Sequence, residues 1–220
     1  MRTLRGDAGV IAEAHGSARF QYGETMTLAA VYGPGQPRYS RHEEYNKATV
    51  EVNYNYAAPP SPSGSSSGAD TARIEREGAR HIRQILQSCI DVKACPRMLI
   101  VVEVTVLRND GAALATAVNA CVLALLDSGI PMLYAPMALT CLNGEGFDSE
   151  SSMLDTSAQL EESASSVITY AFRMENDSNL TVVLTTATGI IDSTVMERSW
   201  AEVCTNASTL KNFFGQAIRR

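Results

Sequence analysis

Between Ala48 and Ala57 apolar and polar residues alternate, with Val50, Val52, Tyr54 and Tyr56 on one face and Glu51, Asn53 and Asn55 on the other. A period of two is that of a half-buried β-strand. Upstream, SARFQY (17–22) and TMTLAAVY (25–32) are strand-like runs joined by Gly23-Glu24 and closed by Gly33-Pro34, the pattern of a hairpin. Over 71–90 the period changes. Ile74, Gly78, Ile82, Ile85, Leu86 and Cys89 recur at helical spacing, while Arg73, Arg76, Arg80 and Arg83 form a stripe on the opposite face. Pro96 breaks the chain before a Val/Ile-rich strand over 98–107.

Asn109-Asp110-Gly111 is a predicted turn, followed by a helix over 112–127 that is apolar almost all round and so is expected to be buried on every side. Asn119, polar in its middle, is read as a satisfied core hydrogen-bonder. Gly129 suits a left-handed cap, with Pro131 just beyond. A strand over 132–141, an acidic loop over 143–162, a hairpin of strands 166–174 and 180–187 and a long helix from Asp192 complete the chain. Thr194 and Glu197 have capping-box spacing, and Met196, Trp200, Val203, Ala207, Leu210, Phe214 and Ala217 share one helical face. This order predicts an α/β fold of two layers in one domain, residues 1–220. The segment PPSPSGSSSGAD, residues 59–70, is expected to be a mobile insertion, because its Pro, Ser and Gly bury no apolar surface.

Composition narrows the function classes. No apolar run is long enough to span a bilayer, and MRTLRGDAGV lacks the apolar core of a secretion signal, so neither a membrane partner nor secretion is expected. The Asn-x-Ser/Thr triplets at Asn176, Asn179 and Asn206 then carry no weight. Eighteen Lys+Arg against 24 Asp+Glu give a net charge of −6, unfavourable for independent nucleic-acid binding. RNA contact would need a local basic patch or a basic partner. The arginine stripe is the one concentrated basic face, open to two readings: a solvated face paired with Glu75 and Glu77, or a contact with RNA or a partner subunit. The five cysteines, without CxxC spacing, are expected as reduced thiols, with no metal and no cofactor implied. Neither G-x-G-x-x-G nor G-x-x-x-x-G-K occurs, which disfavours the common nucleotide-binding folds.

Several stretches, in order, resemble RNase PH-like proteins: Gly16-Ser17-Ala18, Gly23-x-Thr25, Leu28–Pro34, Asn46–Val52, Cys95-Pro96-Arg97, Asn109-Asp110-Gly111, Asn119-Ala120, Ala124–Met132 and Leu154-Asp155 with Glu161-Glu162. The NKATVEV string is most similar to one RNase PH-like subunit of the eukaryotic exosome ring. The resemblance implies the ribosomal protein S5 domain 2-like α/β fold. It also implies pairing with a ribosomal-RNA-processing protein 43-like neighbour, a ring with other RNase PH-like subunits, cap subunits and a nuclease, and RNA threaded through that ring for 3′–5′ processing and decay. Nucleus (nucleolus) and cytoplasm are the compartments it implies.

Active relatives hold inorganic phosphate on a Gly-Thr-Arg segment after an Asp-Gly or Asp-Ala turn. Here the segment reads Ala112-Ala113-Leu114, so the hydroxyl and the guanidinium are lost at Ala113 and Leu114, and residues 111–132 contain no Lys or Arg. Losing one such anchor costs about 10²–10³ in rate. The family's pair of Asp residues maps onto Asp155 and onto Glu161 or Glu162. Asp155 reads either as a loop or capping residue or as a remnant acid. Two functions follow: a non-catalytic ring subunit, or a phosphorolytic 3′–5′ exoribonuclease acting alone or as a homodimer.

Overall fold

The computed structural model describes residues 2–37, 43–57, 68–144, 154, 157–176 and 179–217. In chain order the elements are β1 (Leu4–Ala8), β2 (Gly16–Tyr22), β3 (Thr25–Gly35), β4 (Thr49–Tyr56), α1 (Gly68–Cys89), β5 (Leu99–Arg108), α2 (Ala113–Ser128), β6 (Met137–Asn143), α3 (Ala158–Ser163), β7 (Ser166–Asn176), β8 (Asn179–Gly189) and α4 (Ser193–Ala217). They build a five-stranded sheet of order β1-β2-β3-β5-β4 and a three-stranded sheet of order β6-β7-β8. All neighbours run antiparallel except β4 and β5, which are parallel and joined by the α1 crossover.

The alternation in β4 does what its period requires. Val50, Val52 and Tyr54 lie opposite Ile100, Val102 and Val104 of β5, and all six are buried. Asn53 and Glu103 pair on the other, solvated face, where the Asn53 amide donates to Glu103 at 2.6 Å. α1 lies over β4 at Gly78, where an added Cβ would stand 2.6 Å from ring carbons of Tyr54. α2 meets β2 and β3 of the large sheet and β6 of the small one, so its apolar circumference is buried all round. The Asn119 side chain donates to the Ala138 carbonyl and accepts from the Ala138 N–H, both at 2.9 Å, tying α2 to β6. α4 reaches both sheets. Phe213 and Phe214 pack on Phe20 of β2, while Trp200 packs on Tyr170 and Phe172 of β7.

Four boundaries differ from the sequence expectation. β1 was not expected; its five residues pair along β2 as an edge strand. α1 begins at Gly68, so the last three residues of the expected loop 59–70 are helical, while residues 58–67 lie outside the described ones. β6 starts at Met137 instead of Met132, because the preceding segment is held by the end of α1: Ile90 bridges Met132, and the Leu133 N–H donates to the Cys89 carbonyl at 2.7 Å. Asp192 flanks the start of α4: its carbonyl accepts from the Met196 N–H at 3.1 Å, and its carboxylate accepts from the Ser193 N–H at 2.7 Å and the Thr194 hydroxyl at 3.1 Å. Thr194 is therefore already inside the first turn, and its spacing to Glu197 forms no capping box.

Candidate functional site

The head of α2 is set by the turn before it. The Thr25 hydroxyl accepts from the Asp110 N–H at 2.9 Å and donates to the Gly111 carbonyl at 2.7 Å, which pins Asn109-Asp110-Gly111 to β3. Ala112 then adopts the left-handed region (φ 53°, ψ 31°) as the residue flanking the helix, and no side chain of its own caps the helix. An alanine pays about 1–2 kcal/mol there, where glycine is unstrained. In the family pattern described above this is the glycine position.

The Ala112 N–H does not face an open site. It donates to Oε1 of Glu161 at 2.6 Å, a carboxylate carried in from α3. Ser157 caps α3 by accepting from the Leu160 N–H at 3.3 Å, and the Ala158 N–H donates to Asp110 at 3.4 Å, so the short helix is docked against the same turn. Burial pushes the Glu161 carboxyl above the usual carboxylate range; the Ala112 N–H and the nearby Arg2 guanidinium act against that push, and Asp110 adds to it. Arg2 itself is bound to Asp110, donating to its carboxylate at 2.9 Å and to its carbonyl at 3.1 Å. A cation does therefore approach the segment, from the far end of the sequence, but it neutralises Asp110.

Ala113 and Leu114, at the lost phosphate-anchor positions, are half-buried and pack against the apolar core. Glu162 is exposed, and Asp155 lies outside the described residues. Its neighbour Leu154 is buried, with its carbonyl accepting from the Tyr22 hydroxyl at 2.6 Å.

The arginine stripe divides. Arg73 approaches Glu77 at 3.7 Å, and the Arg83 Nε donates to the Val50 carbonyl at 3.0 Å. The Arg76 Nε donates to the Ala72 carbonyl at 2.9 Å. Glu75 does not neutralise the stripe as the solvated-face reading expected, because its Oε1 accepts from the Tyr56 N–H at 3.0 Å. Arg76 and Arg80, with Glu77 and His81, face Thr185, Thr186, Ala187 and Thr188 of β8 across an open groove of about 560 Å³. His81 and the β8 threonines carried no signal in the sequence, since roughly a hundred residues separate them and only the fold brings them together.

All five cysteines are free. Burial pushes the Cys89 and Cys141 thiols up to about 12 and Cys121 higher still. Among the described residues no group of three or more His, Cys, Asp or Glu is placed to hold a metal ion. No described helix is long and apolar enough to cross a membrane.

This arrangement of sheets and turn is that of a known class. Residues 1–131 match the model of the 3′ exoribonuclease family, domain 1 (RNase PH). The chain belongs to this RNase PH family. It is 33% identical over 144 residues to the exosome complex component RRP41 homolog of Arabidopsis thaliana, covering 66% of this chain and 58% of the relative. It is 35% identical over 134 residues to the exosome complex component rrp46 of Schizosaccharomyces pombe, covering 60% of this chain and 54% of the relative. The crystal structure of rice (Oryza sativa) Rrp46 superposes with a TM-score of 0.84 at 25% identity, covering 100% of this chain and 96% of that one. The matches to those two curated relatives thus span between half and two thirds of each relative's length.

Proposed function

We propose that this chain is a non-catalytic RNase PH-like subunit of an exosome ring, working beside other RNase PH-like subunits, cap subunits and a nuclease to pass RNA for 3′–5′ processing and decay in the nucleus, nucleolus and cytoplasm. The observation that carries the reading is the 2.6 Å contact of Glu161 with the Ala112 N–H. An enzyme that attacks with inorganic phosphate must leave the donors that hold it free to meet an anion. Here the head of α2 already meets the protein's own carboxylate, and the two side chains that would add a hydroxyl and a guanidinium are Ala113 and Leu114. The likeness to RRP41 and Rrp46 exosome components supports the ring.

The test is incubation of the purified chain with poly(A) RNA, with and without inorganic phosphate, reading release of nucleoside diphosphates. None is expected. Phosphate-dependent release that is lost in Asp155→Asn would overturn the proposal in favour of a phosphorolytic exoribonuclease.

A further inference from the structure

We infer that the groove between α1 and β8 is a contact site for the sugar–phosphate backbone of single-stranded RNA, with Arg76 and Arg80 as its phosphate ligands. The inference rests on the RNA reading above and adds a place on the molecule, separate from the head of α2, where the strand is held.

Charge is the first argument. Glu75, the carboxylate next to Arg76 in sequence, bonds to the Tyr56 N–H, and Glu77 has Arg73 at 3.7 Å. Arg76 bonds only to a carbonyl of its own helix, through Nε, which leaves its terminal N–H groups available; among the described residues Arg80 makes no hydrogen bond or ion pair. Two guanidinium groups without a carboxylate partner among the described residues therefore face one groove in a chain of net charge −6. Guanidinium forks fit phosphate oxygens bidentately.

Spacing and lining agree. Arg76 and Arg80 stand about 6 Å apart along the helix axis, a separation that lets them meet neighbouring phosphates of an extended strand. Across the groove, Thr186 supplies a hydroxyl of the kind that nucleic-acid interfaces direct to phosphate and sugar, while the Thr188 hydroxyl on the same strand face donates to the Val167 carbonyl at 3.5 Å. His81, half-buried, also lines the groove, with ring nitrogens suited to a ribose 2′-hydroxyl. Ala187 is the one apolar residue in the lining, whereas a stable subunit contact needs an apolar centre.

The experiment uses the full chain and a fluorescent oligo(A) RNA at about 50 mM salt, where phosphate contacts are strong. Wild type is compared with Arg76→Gln/Arg80→Gln and with the control Arg73→Gln, with thermal melts confirming that each is folded. The double variant is expected to bind at least tenfold more weakly and to lower the salt slope by about 1.4, the value for two phosphate contacts on a single strand. Photocrosslinking from the RNA should mark the peptide containing Thr185–Thr188. Unchanged affinity in the double variant, no measurable binding by wild type, or crosslinks confined elsewhere would overturn the inference. So would a double variant that binds RNA normally but no longer associates with RNase PH-like partner chains, since the groove would then be a subunit contact. The poly(A) phosphorolysis assay reads the proposed function separately, so either proposal can fail without the other.

Discussion

Glu161 and Ala112, 49 residues apart in sequence, are joined by a 2.6 Å hydrogen bond from the backbone of one to the carboxylate of the other. This bond places a half-buried negative charge on the positive end of a sixteen-residue helix. The favourable end and the unfavourable burial oppose each other, and burial dominates the proton affinity.

Stability should therefore depend on pH through Glu161. Its carboxyl holds a proton more tightly in the folded chain than in the unfolded one, whose ordinary value is 4.5. The contribution of this group to stability is thus fully present below that value and is lost as pH rises through the raised folded value. Glu161→Gln keeps an oxygen for the Ala112 N–H and removes the titration. Urea unfolding from pH 4 to pH 8, on the order of one-unit steps, should show the variant gaining on wild type as pH rises. Glu161→Ala, which leaves the N–H unpaired, should cost about 1–2 kcal/mol.

The Asn119 side chain satisfies both backbone groups of Ala138, at 2.9 Å each. Asn119→Ala strands a buried donor and a buried acceptor together, and should destabilise by about 2–4 kcal/mol. Asn119→Asp should be worse, because a carboxylate would face the Ala138 carbonyl without a partner. Chemical denaturation midpoints with unchanged slopes would check both.

Thr27 offers the opposite outcome. Its side chain is fully buried on β3 and its hydroxyl has no hydrogen-bond partner among the described residues. Thr27→Val keeps the shape and the β-branch while removing the unpaired group, so it should raise stability by about 0.5–1.5 kcal/mol, read as a higher melting temperature.

Thiol reactivity should sort by burial. Cys89, Cys121 and Cys141 are buried with raised thiols, so they should resist maleimide in the folded protein and react on unfolding. Cys95 and Cys204, partly exposed, should label first. Mass spectrometry of timed labelling distinguishes the sets, and rapid modification of Cys121 would contradict the packing around α2.

Most of the fold was legible because its elements carry their own period. The alternation at Val50, Val52 and Tyr54, the apolar α2 and the turn at Gly23-Glu24 each need only neighbours in sequence to be read. β1 was not legible: Leu4, Gly6 and Ala8 alternate with Arg5 and Asp7 over only five residues with one bulky apolar side chain, and the segment becomes a strand because β2 offers an unpaired edge. α3 is one short turn-and-a-half whose cap, Ser157, is one serine among many in an acidic stretch. At the candidate site the side chains of Ala113 and Leu114 were readable letter by letter. What fills the space was not. Arg2 meets Asp110 across 108 positions and Glu161 meets Ala112 across 49, and no local period encodes contacts so distant. The arginine stripe was seen, but its division was not, because the turning of Glu75 to Tyr56 and of Arg83 to Val50 depends on where β4 lies beneath α1.

The placement of α2 bears on how the molecule assembles. A helix with apolar residues on every side gains nothing from docking on one sheet alone, since the other half of its circumference would stay in water. β6 is in turn held to it by Asn119, and α4 closes over both sheets with Phe214 at one end and Trp200 at the other. Folding must then bring strands from the two halves of the chain together before the central helix is dry. Pairings so far apart in sequence form late and with high loop-closure cost. During synthesis the first half of this chain waits, its best hydrophobic surface uncovered, for residues that have not yet been made.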